Sequence, residues 1–204
     1  MHHQKTRLLT LVGTMAALTA VLAQLSVPLP GGVALTLQTF AVALCGCVLG
    51  PLPGAAAVLA YLALGLCGFP VFAGFRGGPD VLLGPSGGFL WGFLILAALA
   101  GAGQRHTKPL SCLLGLLGLA ACHFLGVAQY TVLRGAPFRD AAALWESAVA
   151  ISLPFWIKDA ASVLLAIPLA EVLCRRLPWL LPAGRSEKNP PCSYAREKES
   201  ATDA

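Results

Sequence analysis

The most constraining feature of this sequence is a long stretch without any charge. From Leu8 to Phe75, 68 consecutive residues include no Asp, Glu, Lys, Arg or His. A soluble helix needs a charged outer face, whereas lipid penalises a charge at its centre by roughly 2.5–3.5 kcal/mol on insertion scales. Only 11% of the whole chain is charged and 57% is hydrophobic, against about 25% charged in an average soluble protein. The sequence therefore predicts an integral membrane protein.

Glycine and proline divide the apolar sequence into six candidate spans. They cover residues 8–26, 36–50, 54–68, 86–102, 110–132 and 150–174. The second and third spans are short, so we expect them to cross where other helices shield them or to pair as a re-entrant unit. A cleaved signal peptide is the alternative interpretation of the first span.

The predicted fold is an all-α, six-helix membrane bundle that forms a single domain over residues 8–182. Residues 1–7 precede it as a short cytoplasmic N-terminus, and the polar, pattern-free residues 183–204 are expected to be a disordered cytoplasmic tail. With about 20 residues needed for each span, the chain has no room for a soluble domain of its own.

The distribution of basic residues predicts the orientation of the bundle. One side receives six of them: Lys5, Arg7, Arg105, Lys108, Arg175 and Arg176. The loops on the opposite side carry three: Arg76, Arg134 and Arg139. Because short loops rich in Lys and Arg stay in the cytoplasm, we expect both termini to be cytoplasmic. An even number of crossings agrees with that placement.

Several function classes are disfavoured by the motifs that the sequence lacks. It contains no Gly-x-x-x-x-Gly-Lys-Ser/Thr, His-Glu-x-x-His or Gly-x-Ser-x-Gly, so we expect neither an ATPase nor a hydrolase. The basic residues lie at segment ends without interleaved aromatic residues, which argues against nucleic-acid binding. Seven dispersed cysteines lack the spacing of a metal site, so no metal or cofactor is expected.

A glycine-rich loop at 68–92 is one candidate binding segment. Ser86 is a candidate N-cap of the following helix, whose free amides attract a carboxylate; a tight, well-capped turn is the alternative. The guanidinium of Arg76 can bind a carboxylate through two hydrogen bonds. The alternative for Arg76 is a solvated loop residue paired with Asp80.

Ionisable residues within the last span form the second candidate segment. Pro154 suits a first helical turn, and Lys158 and Asp159 follow it. Adjacent residues lie about 100° apart on a helix, so we do not expect Lys158 and Asp159 to pair with each other. Ser162, four residues after Lys158, lies on the same helix face as Lys158. An ionisable pair within a membrane span predicts a binding site. In the alternative, Lys158 reaches the lipid headgroups and Asp159 caps the helix. His123, without an acidic partner in sequence, is expected to bond to neighbouring backbone.

Several motifs then occur in an order that is typical of one transporter family. They are Thr36-Leu-Gln38-Thr39-Phe40, Leu49-Gly50-Pro51, Tyr61-Leu-Ala-Leu-Gly65, Gly68-Phe-Pro70-Val-Phe72-Ala73, Leu83-Gly-Pro-Ser86-Gly87-Gly88-Phe89 and Pro154-Phe155 with Asp159. Over residues 8–175 the chain resembles the BioY family, the biotin-specific S components of energy-coupling-factor (ECF) vitamin transporters.

The resemblance implies a high-affinity biotin-binding subunit in the bacterial cytoplasmic membrane. It implies six helices with a biotin pocket near the outer surface, and partners consisting of a transmembrane coupling protein and two ABC-type ATPases. The small-residue pattern of the first helix, here Ala16 and Ala20, would dock on the coupling protein. Packing within the chain is the alternative for these small residues, which include Gly13 and Ala17.

The predicted substrate-binding residues combine the two candidate segments with the family motifs. They are Gln38, Tyr61, Phe72, Arg76, Gly77, Gly78, Ser86, Gly87, Phe89, Lys158, Asp159 and Ser162.

The chain departs from the family pattern Pro-Phe-x-Pro-Gly-Asp-x-x-Lys. Ser162 replaces the Lys of the pattern, and Lys158 replaces its Gly. A family Arg aligns with Leu90, and Arg76 stands where an Asn is common. We hypothesise that Lys158 and Arg76 supply the cationic groups lost at Ser162 and Leu90.

Two other functions stay open from the sequence. An S component for a different small vitamin or carboxylate is compatible with the changed Lys158 and Ser162 positions. A non-transporting membrane scaffold that packs through its small-residue helix is the other class, and it predicts no saturable ligand binding.

Overall fold

The structure, a computed structural model, describes residues 2–28, 34–104, 106–135 and 140–177. Within these ranges the chain forms eight helices and one short antiparallel hairpin. In chain order they are α1 (His2–Gln24), β1 (Ser26–Pro28), β2 (Ala34–Thr36), α2 (Gln38–Leu49), α3 (Pro51–Leu66), α4 (Pro79–Leu83), α5 (Gly87–Gly103), α6 (Lys108–Leu133), α7 (Ala141–Ile151) and α8 (Leu153–Arg176).

Each predicted span coincides with one of the longer helices α1, α2, α3, α5, α6 and α8. The hairpin and the helices α4 and α7 lie in segments that were expected to be loops. By length and hydropathy, Lys5–Gln24 and Lys108–Leu133 are able to cross a membrane, whereas α2, α3, α5 and α7 are apolar but shorter. Arg105, Arg139 and the tail at 183–204 lie outside the described residues.

Helix α2 lies at the centre of the bundle. All of its residues except Phe40 are buried, and it contacts α1, α3, α5 and α8. A side chain at Gly46 would collide with the backbone of Ala97, and one at Gly54 with the backbone of Gly46. These glycines therefore let α3 and α5 approach α2 closely, which is how membrane helices commonly pack.

The break between α2 and α3 is confined to a single residue. Gly50 has φ 93°, a conformation that glycine adopts without strain, and Pro51 begins α3 at once. The two short helices are thus folded against each other within the bundle.

Helix α6 packs along α5 in the most extensive helix contact of the described chain. A side chain at Gly92 would collide with Cys122, and one at Gly88 with the backbone of Leu125. Helices α7 and α8 complete this side of the bundle and meet at Ser152. The close approach of α5 and α6 places Cys122 and His123 beside the first turns of α5 and α8.

Gln24 ties the end of α1 to the loop at 71–76. Its side-chain Nε2 donates to the carbonyl oxygens of Val71 and Phe72, each at 3.2 Å, and its Oε1 accepts from the Phe75 backbone N–H at 2.9 Å. The loop is closed by backbone bonds between Phe72 and Arg76 in both directions. The hairpin, this loop and the start of α8 consequently meet at one end of the bundle.

Candidate functional site

A cavity opens at this end of the bundle. Small-molecule sites typically combine apolar walls with a few convergent polar groups. The walls come from the hairpin, α2, the loop at 71–76, α4, α5, α6 and α8. The apolar part of the lining includes Phe72, Phe89, Leu90, Phe93 and Phe155.

The carboxylate of Asp159 is the buried polar centre of the cavity. The residue is only 6% exposed. Its Oδ1 contacts the ammonium group of Lys158, its Oδ2 lies 3.3 Å from His123 Nε2, and Thr39 approaches the same carboxylate. A buried charge is tolerated when it is paired and hydrogen-bonded in this way.

The contact between Lys158 and Asp159 corrects the expectation that these neighbours do not satisfy each other. The 100° separation concerns the directions of the Cβ atoms, whereas the long aliphatic chain of Lys158 bends back toward Asp159. The same ammonium group donates to the Thr36 carbonyl oxygen at 2.5 Å. Lys158 therefore connects α8 to the end of the hairpin.

His123 has an acidic partner, so the expectation that it bonds only to backbone is wrong. The partner, Asp159, lies on α8, and the other ring nitrogen, Nδ1, lies 2.8 Å from the Ser152 hydroxyl. The imidazole stacks on Trp156 at 5.4 Å between centroids and meets the edge of Phe89 at 5.5 Å. The ring is thus held by two aromatic contacts and at both nitrogens.

A second polar group lies where the hairpin meets α2. Gln38 Nε2 donates to the Tyr61 hydroxyl at 2.6 Å, and the Thr36 hydroxyl donates to Gln38 Oε1 at 2.8 Å. The Tyr61 ring in turn meets Phe72 edge to face at 5.5 Å. Gln38 and Phe72 line the cavity, whereas Tyr61 supports both from behind.

Arg76 lies at the mouth of the cavity and is exposed. Its guanidinium pairs with Asp80 Oδ2 at 3.4 Å, and the two side chains are 54% and 69% exposed. The expected pairing with Asp80 is therefore present, and Arg76 also lines the cavity. An exposed pair at this distance is easily exchanged for another anion, because water screens it.

The structure brings seven of the predicted binding residues to the cavity wall: Gln38, Phe72, Arg76, Ser86, Phe89, Lys158 and Asp159. Ser86 occupies the N-cap position of α5, but its side chain makes no capping hydrogen bond.

The other predicted binding residues lie behind the wall. Ser162 donates to the carbonyl oxygen of Lys158 at 2.8 Å within α8. Gly78 donates its N–H to Gly65 at 2.8 Å, and side chains at Gly77 or Gly87 would collide with neighbouring backbone. The glycines therefore shape the loop rather than line the cavity. Tyr61 acts through its contacts with Gln38 and Phe72.

The lining residues that the sequence analysis did not name as binding residues include Thr36, Thr39, Cys122 and Phe155. Thr36, Thr39 and Phe155 stood in the quoted motifs but carried no charge or periodicity that set them apart. No group of three or more His, Cys, Asp or Glu residues in the described chain could hold a metal ion.

The small residues of α1 divide between two faces. Ala16 is buried against the core and Ala20 is half-buried, whereas Gly13 and Ala17 are exposed. A Cβ at Gly13 would meet no atom within 4 Å. Ala16 therefore packs within the chain, which was the alternative for these small residues, whereas the docking role of Ala20 stays a prediction.

Comparison with known proteins relates the chain to biotin transporters. A model of the BioY family matches residues 1–179. The "Probable biotin transporter BioY" of Pyrococcus horikoshii is 39% identical over 169 residues, which is 83% of this chain and 97% of that protein. The "Biotin transporter BioY" of Rhodobacter capsulatus is 35% identical over 185 residues, 86% of this chain and 97% of that protein.

A solved structure has the same fold. A crystal structure of the S-component for biotin from an ECF-type ABC transporter superposes with a TM-score of 0.73 at 27% sequence identity. The match covers 86% of this chain and 94% of that one.

Proposed function

The chain belongs to the BioY family, and from this premise we propose that it captures biotin for uptake across the cell membrane. It is a transporter component and not an enzyme. The observation that carries the proposal is the buried Asp159 carboxylate in a cavity with aromatic walls from Phe72, Phe89 and Phe155, in a fold shared with a biotin S-component.

The cavity offers a complementary partner for each part of biotin. The ureido group presents two N–H donors and one carbonyl oxygen, so Asp159 accepts from the N–H groups while Lys158 donates to the oxygen. For this exchange the Lys158 ammonium leaves Asp159 Oδ1, which it contacts in the structure. The apolar fused rings then pack on Phe72 and Phe89.

The carboxylate tail of biotin points toward the mouth of the cavity in this arrangement. Arg76 and the backbone amides at the start of α5 are the groups that would bind it. Lys158 and Arg76 in this way supply the cationic groups that the family pattern places at Ser162 and Leu90. Leu90 itself is buried and lines the apolar wall.

We place the chain in the cytoplasmic membrane as a six-span bundle with both termini in the cytoplasm and the cavity facing outward. Cys67, exposed at the C-cap of α3, offers a native probe of this orientation. In a Cys112→Ser, Cys192→Ser background, a membrane-impermeant maleimide added to intact cells should label the protein, and Cys67→Ser should abolish the label. Labelling only after permeabilisation would contradict the orientation.

The sequence contains no nucleotide-binding P-loop motif, so uptake is either energised by other subunits or passive. We propose that an ECF coupling protein and ABC ATPases supply the energy, with α1 docking through the half-buried Ala20, since Ala16 packs within the chain. Co-purification of a tagged chain with these subunits, weakened by Ala20→Leu, tests the assignment; unchanged co-purification contradicts the role of Ala20.

Biotin binding is measured directly by isothermal titration calorimetry on the purified chain in detergent. We expect saturable binding with one biotin per chain. A competition panel of other small vitamins and carboxylates distinguishes biotin from the alternative ligands, since only biotin and close analogues should compete. Absence of saturable binding by any of them would favour the membrane-scaffold alternative.

A further inference from the structure

Ser152, His123 and Asp159 form a continuous hydrogen-bonded chain behind the cavity wall. We propose that His123, oriented by Ser152, is a positioning residue that holds Asp159 as the acceptor for the N–H groups of the ligand. The inference deepens the proposed function and rests on it.

The direction of the hydrogen bonds follows from the chemistry of the groups. An ionised carboxylate only accepts, so the Nε2 that faces Asp159 at 3.3 Å carries the proton. In a neutral imidazole the other nitrogen then accepts, and the Ser152 hydroxyl at 2.8 Å is its donor. Asp159 thereby sets the tautomer, and Ser152 satisfies Nδ1 and holds the ring in this orientation.

The surroundings of His123 restrict the ring to this orientation. The ring is buried, with Trp156 stacked on it at an interplanar angle of 27° and Phe89 against it at 88°. Rotation of the imidazole about its Cβ–Cγ bond would break the contacts of Nε2 with Asp159 and of Nδ1 with Ser152, and would turn the ring plane out of its contacts with Trp156 and Phe89. The donor is therefore fixed before any ligand arrives, which lowers the cost of binding.

The two carboxylate oxygen atoms of Asp159 have different partners. Oδ2 faces His123, whereas Oδ1 contacts the ammonium group of Lys158. A ligand N–H can replace Lys158 at Oδ1 while His123 continues to hold Oδ2. The result is a site that accepts hydrogen bonds from a neutral head group without leaving the buried carboxylate unpaired.

The serine is placed for this structural role and not for nucleophilic attack. Ser152 is buried at the junction of α7 and α8 and is separated from the cavity by the His123 ring. In a hydrolytic triad the serine faces the substrate and the carboxylate lies behind the histidine. Here the order is reversed, because Asp159 lines the cavity.

Two substitutions at His123 separate its hydrogen bond from its packing. His123→Phe keeps a ring between Trp156 and Phe89 but removes the donor, and we expect biotin affinity to fall about tenfold or more, as for a hydrogen bond to a charged group. His123→Gln keeps an N–H donor and should stay within about threefold of the unchanged protein. His106→Ala, at an exposed site outside the cavity, is the matched histidine control.

A double-mutant cycle tests whether His123 acts through Asp159. In an Asp159→Asn background, His123→Phe should cost little further affinity, because the acceptor that it orients has been lost. Biotin methyl ester should lose the same factor as biotin in the His123→Phe variant, since the effect concerns the ureido end. Additive losses in the cycle, or an equal loss for His123→Gln and His123→Phe, would overturn the inference.

A milder substitution covers the case in which His123→Phe does not fold. Ser152→Ala leaves the ring in place and removes only the donor to Nδ1, and it should weaken biotin binding about threefold; unchanged affinity would overturn the role of Ser152. Unchanged affinity in His123→Phe overturns the inference and leaves the proposed function intact. Failure of the unchanged protein to bind biotin overturns both.

Discussion

The cavity has one ion pair at its mouth and another at its floor, and their environments differ. At the mouth, Arg76 and Asp80 are 54% and 69% exposed. At the floor, Lys158 and Asp159 are 25% and 8% exposed. Water and salt screen the mouth pair, whereas the floor pair has lost most of its hydration and depends on its partners. We therefore expect affinity to depend on the floor, and anion preference and capture to depend on the mouth.

The two regions also differ in how the sequence builds them. Arg76 and Asp80 are four residues apart in sequence, Arg76 at the end of the loop and Asp80 in the first turn of α4. The floor instead gathers Thr36 from the hairpin, His123 from α6 and the Lys158–Asp159 pair from α8. A substitution at the floor therefore affects contacts with three separate elements, whereas a substitution at the mouth affects only neighbouring residues.

The largest effect is expected from Asp159→Asn. The change removes the charge and one acceptor while nearly keeping the volume, and it should weaken biotin binding by about 1.5–3 kcal/mol, the scale of a hydrogen bond to a charged group. Isothermal titration calorimetry on the purified chain measures it. The same substitution at the mouth, Asp80→Asn, should cause no such loss, and unchanged affinity in Asp159→Asn would remove Asp159 from the site.

Lys158→Met should have the next largest effect, a loss of about 1–2 kcal/mol, because it removes the donor to the ureido oxygen and one partner of Asp159. Biotin binding by calorimetry again reports it. Restoring the family position of the cation sharpens the test: Lys158→Ala with Ser162→Lys should bind more tightly than Lys158→Ala alone. Failure of this recovery would show that the cation cannot be moved by one turn of α8.

The helical framework was predictable because its signals are local. Glycine and proline mark the helix ends, as at Gly50 and Pro51, and each of the six predicted spans overlaps one helix of 12 or more residues. The hairpin strands are only three residues each, too short to show an alternating pattern. Helix α7 was missed because its segment was interpreted as a charged loop, although Asp140 caps it by accepting from the N–H groups of Ala142 and Ala143.

The charged residues of the site could be predicted from the sequence, but the contacts between them could not. Asp159 was identified because a carboxylate within an apolar span is rare. Its contact with His123 was missed because the two residues lie on different helices, and only the packing of α6 against α8 brings them together. The pairing with Lys158 was wrongly excluded because helix geometry alone ignores side-chain length.

At the mouth, Arg76→Gln should weaken biotin binding by only about 0.5–1 kcal/mol, since exposed charge pairs contribute little. The loss should shrink with added salt, unlike the loss in Asp159→Asn. Biotin methyl ester, which lacks the anionic tail, should bind both proteins equally. An equal loss for biotin and its methyl ester would show that Arg76 does not bind the carboxylate.

The smallest effect, and the only one of opposite sign, is expected from Asp80→Asn. Asp80 occupies the Arg76 guanidinium at 3.4 Å in the structure, so a ligand carboxylate must displace it. Removing this competing charge should strengthen biotin binding by up to about 0.5 kcal/mol, within the range of surface pairs. The gain should be absent in an Arg76→Gln background and with biotin methyl ester, and calorimetry at low salt offers the best resolution. A weaker affinity in Asp80→Asn would mean that the carboxylate orients Arg76 for the ligand instead of competing with it.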